Sequence, residues 1–215
     1  MERNCMGERY LGCGSAGERI ILNGTPGNAL GAYLDGSEII INGNAQDATG
    51  DTMNGGSITI HGSTGDACGY AMRGGEIYVR DSAGYRAGIH MKAYKEKLPV
   101  LVIGGRAGSF LGEYQAGGII IVLGLGFEGK SVVGYFCGTG MHGGKIYLRT
   151  EEMPQDLPEQ VMVRLATEED MKDIDRYITS YSEKFGVNKE DITSSGFYVL
   201  TPNTKNPYKR LYCYN

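Results

Sequence analysis

The sequence predicts an all-β protein: a right-handed parallel β-helix (solenoid) of about seven coils, followed by a small α+β C-terminal cap. Three observations lead to this fold class. Glycine supplies 35 of the 215 residues, more than twice an average share of about 7%. The glycines recur every nineteen residues, and an apolar–x–apolar stretch recurs with them. Nineteen residues are too few for a strand–helix–strand crossover but suit one turn of a solenoid.

The glycines keep their spacing in three separate series. These are Gly24, Gly43 and Gly62; Gly31, Gly50, Gly69 and Gly88; and Gly36, Gly55 and Gly74. The corners of a tightly wound coil need positive φ angles or close backbone approach, and glycine allows both. We expect the glycines at these corners. The chirality of parallel crossovers predicts a right-handed coil.

Two columns of aligned apolar residues run through the repeats. The first contains Ile20, Ile39, Ile58, Ile77, Leu101, Ile120 and Ile146. The second contains Leu22, Ile41, Ile60, Val79, Ile103, Val122 and Leu148. Because side chains alternate along a strand, both columns lie on one face. Stacked coils would bury that face as a continuous core.

A third column contains Leu34, Met53, Met72, Met91, Gln115 and Met141. Methionine fills irregular gaps in a core, which favours packing over soft-metal binding. Gln115 interrupts this column, and we expect it to hydrogen-bond to the backbone inside or near the core.

Two repeats are longer than the others. One carries five extra residues within HMKAYKEKLP, and the next carries seven within GLGFEGK. The first excess follows the methionine column and the second follows a strand. We therefore expect the two segments to project from different corners of the solenoid.

The repeats predict a solenoid domain over residues 1–150 and a capping segment over residues 151–215. Residues 167–185 have the apolar spacing of an amphipathic helix, with Thr167 as N-cap and Asp170 three residues later. The stretch GFYVL predicts a strand, and a loop-rich tail follows it. The open ends of a solenoid must be covered. We therefore expect the capping segment 151–215 at one end and residues 1–18 at the other.

Composition excludes several classes of function. The net charge is −4 without a basic tract, which argues against binding nucleic acid. No apolar stretch reaches the roughly 18 residues of a membrane span, and the N-terminus lacks an apolar signal core, so we expect a cytoplasmic protein. The five cysteines are odd in number and include no C-x-x-C. That pattern argues against a disulfide framework and against a metal site in this chain alone.

Residues 119–134, IIIVLGLGFEGKSVVG, contain the G-x-x-x-x-G-K-S pattern of a phosphate-binding loop. Such a loop needs a following helix whose first amides hold the phosphate. The residues after Ser131 continue the glycine repeat instead. Two G-x-G-x-x-G matches, at 12–17 and 124–129, also lack a following helix. We interpret the segment as an elongated corner and keep nucleotide binding as an alternative.

The cysteines and acidic residues of the repeats have structural interpretations. Cys68 and Cys137 share a column with small or apolar residues, which indicates burial, and a nucleophilic role would need a positioned base. Asn28, Asp47 and Asp66 form a polar ladder, for which turn hydrogen bonds are expected rather than calcium binding.

A group of polar residues near the third corner and on the elongated corners is a candidate partner interface, with a solvated face as the alternative. The candidates are Arg73, His90, Lys92, Lys95, Glu128, Lys130 and His142. The chain also has 15 tyrosines and no tryptophan, and exposed tyrosine is common at interfaces. Several tyrosines lie in the tail, at Tyr198, Tyr208, Tyr212 and Tyr214.

The segments GNAQDATGDTMNGG, GDACGYAMRGG, AGYRAGIHMK and GMHGGKIYLR resemble the C-terminal domain of the glutamate synthase large subunit. That family is named for its G-x-G-x-G glycine pattern and has a right-handed β-helix fold. The resemblance covers nearly the whole chain. Gln115 stands where the family pattern would have Met. A more distant similarity is to one component of formylmethanofuran dehydrogenase, its C subunit.

The resemblance implies a non-catalytic scaffold subunit of a split glutamate synthase-type complex, with no activity of its own. It implies amidotransferase and FMN-barrel partner chains, with FMN and an iron–sulfur cluster on those partners and no cofactor in this chain. The alternatives are a scaffold of another oxidoreductase, such as a formylmethanofuran dehydrogenase-type complex, and a stand-alone nucleotide-binding protein. A homo-oligomer is a further expectation that the sequence leaves open.

Overall fold

A computed structural model describes residues 1–203, which form a parallel β-solenoid of about six turns with few helices. The solenoid confirms the predicted fold class, whereas the count of seven coils and the right-handed sense stay predictions. The elements in this range are β1 (Glu2–Met6), β2 (Arg19–Thr25), β3 (Asp35–Asn42), β4 (Gly55–Ile60), β5 (Glu76–Val79), β6 (Val100–Ile103), β7 (Ala116–Val122), β8 (Gly143–Arg149), β9 (Val161–Leu165), α1 (Glu168–Phe185), α2 (Lys189–Thr193) and β10 (Phe197–Pro202).

The strands of successive coils pair in parallel and in the predicted register. Ile39 pairs with Ile58, and Ile58 with Ile77; the same column continues through both elongated repeats to Ile146. The second column is also in register from β2 to β8. Both columns lie in one interior cluster of buried residues. The period-two pattern therefore predicted the sheet and its core correctly.

A second wall of each coil is built from residues with positive φ. Groups of three alternate residues take the left-handed conformation, for example Ala48 (φ 56°), Gly50 (φ 72°) and Thr52 (φ 52°). The Ala48 and Thr52 amides donate to carbonyls of the following coil, and the Gly50 amide donates to the Leu30 carbonyl of the preceding coil. We call this wall the glycine track. Its triplets are 10–12–14, 29–31–33, 48–50–52, 67–69–71, 86–88–90, 110–112–114 and 136–138–140.

In five of the seven track triplets the central residue is glycine for a reason beyond its φ angle, because a Cβ atom there would lie 2.4–2.7 Å from a core isoleucine. Ala48 adopts positive φ without being glycine, so conformation alone does not demand glycine here. A Cβ atom on Gly50 would lie 2.4 Å from Cδ1 of Ile77, a fully buried core residue. Real Cβ atoms do not approach so closely. The lack of a side chain at Gly50 therefore leaves the space that the Ile77 side chain fills.

The methionine column is buried in the solenoid, as predicted. Gln115 is fully buried among these residues. Its Nε2 donates to the carbonyl oxygens of Gly117 at 3.3 Å and Gly118 at 3.1 Å, which confirms the expected backbone hydrogen bonds. Its Oε1 has no partner among the described residues. The Gln115 side chain therefore donates to two carbonyl groups, while its own oxygen remains an unsatisfied buried acceptor.

The helix α1 begins and ends as the sequence predicts. Thr167 and Asp170 form a capping box, and Gly186 ends the helix with φ 67°. Its apolar face packs on the outer face of the strand wall, against Tyr78 and Tyr147. We predicted that the C-terminal segment covers one end of the solenoid, whereas α1 lies on its flank. No helix among residues 1–203 is long and apolar enough to cross a membrane.

Two strands that the sequence analysis did not identify extend the sheet at its ends. β1 pairs in parallel with β2 at the first edge. At the other edge β10 pairs antiparallel with β8, and β9 pairs with β10. Val161 and Val163 of β9 pack against the interior cluster. The predicted strand GFYVL is thus confirmed as β10, the capping role of the whole segment stays a prediction, and the tail with Tyr208, Tyr212 and Tyr214 lies outside the described residues.

Gly50→Ala is expected to lower the free energy of unfolding by about 1–3 kcal/mol, because the added methyl group overpacks the core beside Ile77. Gly14→Ala is the matched control, since Gly14 also has positive φ (65°) but has no atom within 4 Å of the added Cβ. The control has only the left-handed conformational cost of about 1–2 kcal/mol, which Gly50→Ala has in addition to the overpacking, so the control should lose less. Urea denaturation followed by circular dichroism measures both, and equal losses would contradict the packing explanation.

Asp170 links α1 to the sheet and should make stability depend on acid pH. Arg164 Nη2 donates to Asp170 Oδ1 at 3.0 Å, and the Thr167 amide donates to Asp170 Oδ2 at 2.9 Å. The hydrogen bonds from Arg164 and Thr167 hold the pKa of this buried carboxyl well below its ordinary value. The stability that ionised Asp170 adds to the fold is therefore present above the unfolded pKa of about 4. It is lost as the pH falls towards the pKa of the folded state.

We expect Asp170→Asn to lower the free energy of unfolding at pH 7 by about 2–4 kcal/mol. The difference from the wild type should shrink as the pH falls below about 4. Asp173→Asn is the control, because Asp173 pairs with Lys145 at 2.7 Å but is 43% exposed, and exposed pairs contribute about 0–1 kcal/mol. Urea denaturation between pH 7 and 2 tests this, and a difference that stays constant with pH would contradict it.

Candidate functional site

The seven predicted interface residues separate into two surface depressions and two positions outside them. Arg73, His90 and Lys92 line one depression of about 470 Å³. Glu128 and Lys130 line a second of about 450 Å³. The two depressions share no lining residue, which agrees with the expectation that the elongated repeats project at different places.

The first depression, which we call the basic cup, lies beside the glycine track. Its lining residues are Tyr70, Ala71, Arg73, His90, Lys92 and Tyr94. No carboxylate belongs to this lining. Neither Arg73 nor Lys92 makes an ion pair or side-chain hydrogen bond within residues 1–203. The cup is therefore a cationic surface with aromatic walls.

Ring contacts and a tight turn hold the cup in shape. The His90 ring stacks on Tyr114 with centroids 5.1 Å apart and an interplanar angle of 11°. Its edge contact with Tyr70 has a centroid distance of 5.9 Å. The amide and carbonyl groups of Tyr94 and Lys97 bond to each other, which closes the first elongated corner. The Lys97 ammonium reaches the Asp35 carboxylate at 3.0 Å and ties that corner to an earlier coil.

Lys95 and His142 lie outside the cup lining. Lys95 Nζ lies 5.3 Å from the centroid of the Tyr94 ring, at the rim. His142 Nδ1 lies 3.3 Å from the carbonyl oxygen of Gly140, on the last coil. The structure thus brings Arg73, His90 and Lys92 together in the cup, whereas His142 lies on the last coil, outside that lining.

The second depression is a cleft between the elongated corner 124–131 and the segment 150–156. It contains residues of both charges, with Arg106 and Lys130 alongside Glu151 and Asp156 in the lining. Glu128 Oε1 accepts a hydrogen bond from the Gly126 amide at 3.2 Å. Bonds from its own amide and that of Gly126 lower the pKa of Glu128. Glu128 is thus tied to its own loop.

The local structure does not support the phosphate-loop hypothesis. Ser131 Oγ donates to the Val133 carbonyl at 2.6 Å, and Val133 forms a bridge with Ala107 of the preceding coil. Turns and the next coil, without a helix, occupy the described residues from Ser131 to β8. The row of free helical amides that holds phosphate in such loops is therefore missing here.

The repeat-column cysteines are buried and protonated. Cys68 is fully buried and Cys137 is 1% exposed. Burial raises the pKa of each thiol to about 12, so almost no thiolate exists at neutral pH. This confirms the interpretation of these residues as core and removes the nucleophile that covalent catalysis would need from them.

The polar ladder satisfies backbone groups. The Asp47 carboxylate accepts from the Asp66 amide at 2.9 Å, and the Asp66 carboxylate accepts from the Tyr85 amide at 2.8 Å. These bonds join residues nineteen positions apart on successive coils, so the predicted turn hydrogen bonds are replaced by coil-to-coil bonds. Within residues 1–203 no three His, Cys, Asp or Glu side chains gather as a set of metal ligands.

Sequence reasoning missed two features beside these depressions. The Arg149 side chain donates to the carbonyls of Leu123, Asp191 and Ile192 and to the Ser195 hydroxyl. It thereby fastens the C-terminal segment to the last coils. A column of Arg86, Phe110 and Phe136 stacks along the track, with 4.7 Å from Arg86 Cζ to the Phe110 centroid and 5.0 Å between the two Phe centroids. Aligning the repeats would have found this column.

Comparison with known proteins gives two findings. A protein-family model described as "GXGXG motif" matches residues 4–200. The chain is also 46% identical over 131 residues to an uncharacterized protein of Methanocaldococcus jannaschii. That alignment covers 58% of this chain and 50% of the relative, so the chain spans about half the length of the curated relative that it matches. The similarity to formylmethanofuran dehydrogenase stays a prediction.

Thiol labelling of the native protein should distinguish the exposed cysteine from the buried ones. We expect iodoacetamide at pH 8 to modify the exposed Cys13 and to leave Cys68 and Cys137 unmodified until denaturant is added, because a raised pKa and burial both suppress reaction. Mass spectrometry of a Cys213→Ser background identifies the sites. Modification of Cys68 at the rate of Cys13 under native conditions would contradict the core assignment.

Proposed function

This chain belongs to the GXGXG motif family, the type of domain found at the C-terminal end of the large subunit of glutamate synthase, and on that premise we propose that it is a non-catalytic scaffold subunit of a split glutamate synthase-type complex. In this proposal it holds an amidotransferase chain and an FMN-barrel chain in fixed relative positions. A fixed separation would let a reactive intermediate pass directly from one partner to the other.

The observation that carries the proposal is the in-register stack of coils with a filled interior. Each coil is bonded to its neighbours along both the strand wall and the glycine track. Strands in a sheet are about 4.8 Å apart, so surface groups on successive coils have a fixed spacing. A rod bonded along two walls resists bending and suits a spacer between partners.

The chemistry of the donor groups also supports the proposal. An iron–sulfur cluster is held by several converging thiolates, whereas Cys68 and Cys137 are protonated and lie in different coils. We therefore propose that the iron–sulfur cluster lies on a partner chain and, from the family resemblance alone, that the FMN does so too. Cys213 lies outside the described residues and takes no part in this reasoning.

The placement of the two depressions supports two separate contact surfaces. The basic cup and the cleft beside residues 124–131 have different lining residues and different charge: cationic in the cup, mixed in the cleft. A scaffold that positions two partners needs two such surfaces. We propose that each depression contributes to one of them.

Affinity purification of the tagged chain from its native host tests this function. We expect an amidotransferase chain and an FMN-containing chain in constant ratio to it, and glutamine-dependent glutamate formation by the complex. The purified chain alone should form no glutamate. An unrelated protein with the same tag controls for non-specific capture.

Two results would contradict the proposal. One is recovery of the chain without either partner under gentle, low-salt conditions. The other is recovery in a different assembly, such as a formylmethanofuran dehydrogenase-type complex, which would assign the scaffold to another reaction.

A further inference from the structure

No carboxylate in its lining balances the positive charge of the basic cup. Three other cations of the elongated corner and the track have partners: Lys97 pairs with Asp35, Arg86 pairs with Glu113 at 3.2 Å, and Lys95 lies over the Tyr94 ring. Arg73 and Lys92 have no such partner within residues 1–203. The whole chain is anionic, with a net charge of −4. A local cluster of unpaired cations on an anionic protein attracts anions specifically to that place.

A small residue of the track, Ala71, lines the depression. In neighbouring coils the column that contains Ala71 is occupied by Tyr33, Thr52, His90 and Tyr114. Ala71 leaves the space of a side chain open beside His90. Since His90 is held by two ring contacts and Tyr94 by the closed corner, the gap is a formed feature of the surface before any partner arrives.

The openness of the cup favours a macromolecule over a small ligand. Small-molecule sites enclose most of the ligand surface, whereas Arg73, His90, Lys92 and both tyrosines of the cup are exposed, with Tyr70 38% and Tyr94 49% accessible. Arginine and tyrosine are also the residues that contribute most binding energy at protein interfaces. A small set of cations without a longer basic stripe is a poor match for nucleic acid, whose binding depends on many phosphate contacts.

We propose that the basic cup binds an acidic segment of a partner protein, a short extended stretch with two or more Asp or Glu side chains. Arg73 offers a planar guanidinium that can hold one carboxylate by two hydrogen bonds, and Lys92 offers a point charge to a second. The rings of Tyr70 and Tyr94 cover the part of the peptide that lies between its two carboxylates. This inference rests on the proposed scaffold function only for the identity of the partner that supplies the segment.

Fluorescence anisotropy with fluorescein-labelled hexaglutamate tests the purified chain. We expect binding at about 50 mM salt that weakens at about 300 mM, because exposed charges are screened. Arg73→Glu with Lys92→Glu should weaken binding about tenfold or more, since reversed charges repel the peptide. Arg106→Glu with Lys130→Glu is the matched control. It makes the same change in net charge in the cleft, and it should change affinity about twofold or less.

Equal weakening in the two double variants, no binding by the wild type, or tighter binding of labelled oligothymidylate than of hexaglutamate would each overturn the proposal. Unfolding midpoints of both variants are measured first, and we expect them to match the wild type because these four side chains are exposed. If hexaglutamate does not bind at the cup but the host yields synthase partners with the tagged chain, this inference is wrong and the scaffold function stands. If hexaglutamate binds at the cup but no synthase partner is recovered, the scaffold function is wrong and this inference stands.

Discussion

Hydrogen bonds between equivalent positions of successive coils are the constraint on which the rest of this structure depends. A shift of one residue in a strand would turn its apolar side chains to the opposite face, and Ile58 must therefore meet Ile39 and Ile77 at the same height. The track obeys the same rule through amides that donate alternately to the coils before and after. The extra residues at 92–99 and 124–131 are accommodated only at corners, where they leave both ladders in register.

Local patterns in the sequence predicted the parts of the fold that local rules decide. Period-two alternation placed both strand columns, and a capping box placed the start of α1 at Thr167. The docking of α1 depends on tertiary packing, yet a sign of it is present: VLVI in β6 and IIIV in β7 are apolar without interruption, as in strands covered on both faces. The positive φ angles of residues such as Arg86 and Phe110 could not be predicted, because side chains ordinarily avoid that region.

In the candidate site, too, the features that local patterns decide could be predicted, and those that depend on tertiary packing could not. Repeat alignment assigns each polar residue to a coil and a corner, and this placed Arg73, His90 and Lys92 together correctly. It does not show that a corner folds back: the Lys97–Asp35 pair joins residues that are 62 positions apart. Nor does it show which side chains are already committed to structure, as Glu128 is to its own loop and Arg149 is to the C-terminal segment.

The column that contains Ala71 has a consequence for how such a protein diversifies. Each coil contributes one residue to every surface column, and the backbone at that residue is fixed by its neighbours above and below. A substitution in one coil thus alters the surface over one strand spacing, about 4.8 Å, and leaves the buried columns unchanged. The shape of the surface can therefore differ from coil to coil, as the alanine, tyrosine, threonine and histidine of this one column show, while the backbone stays the same.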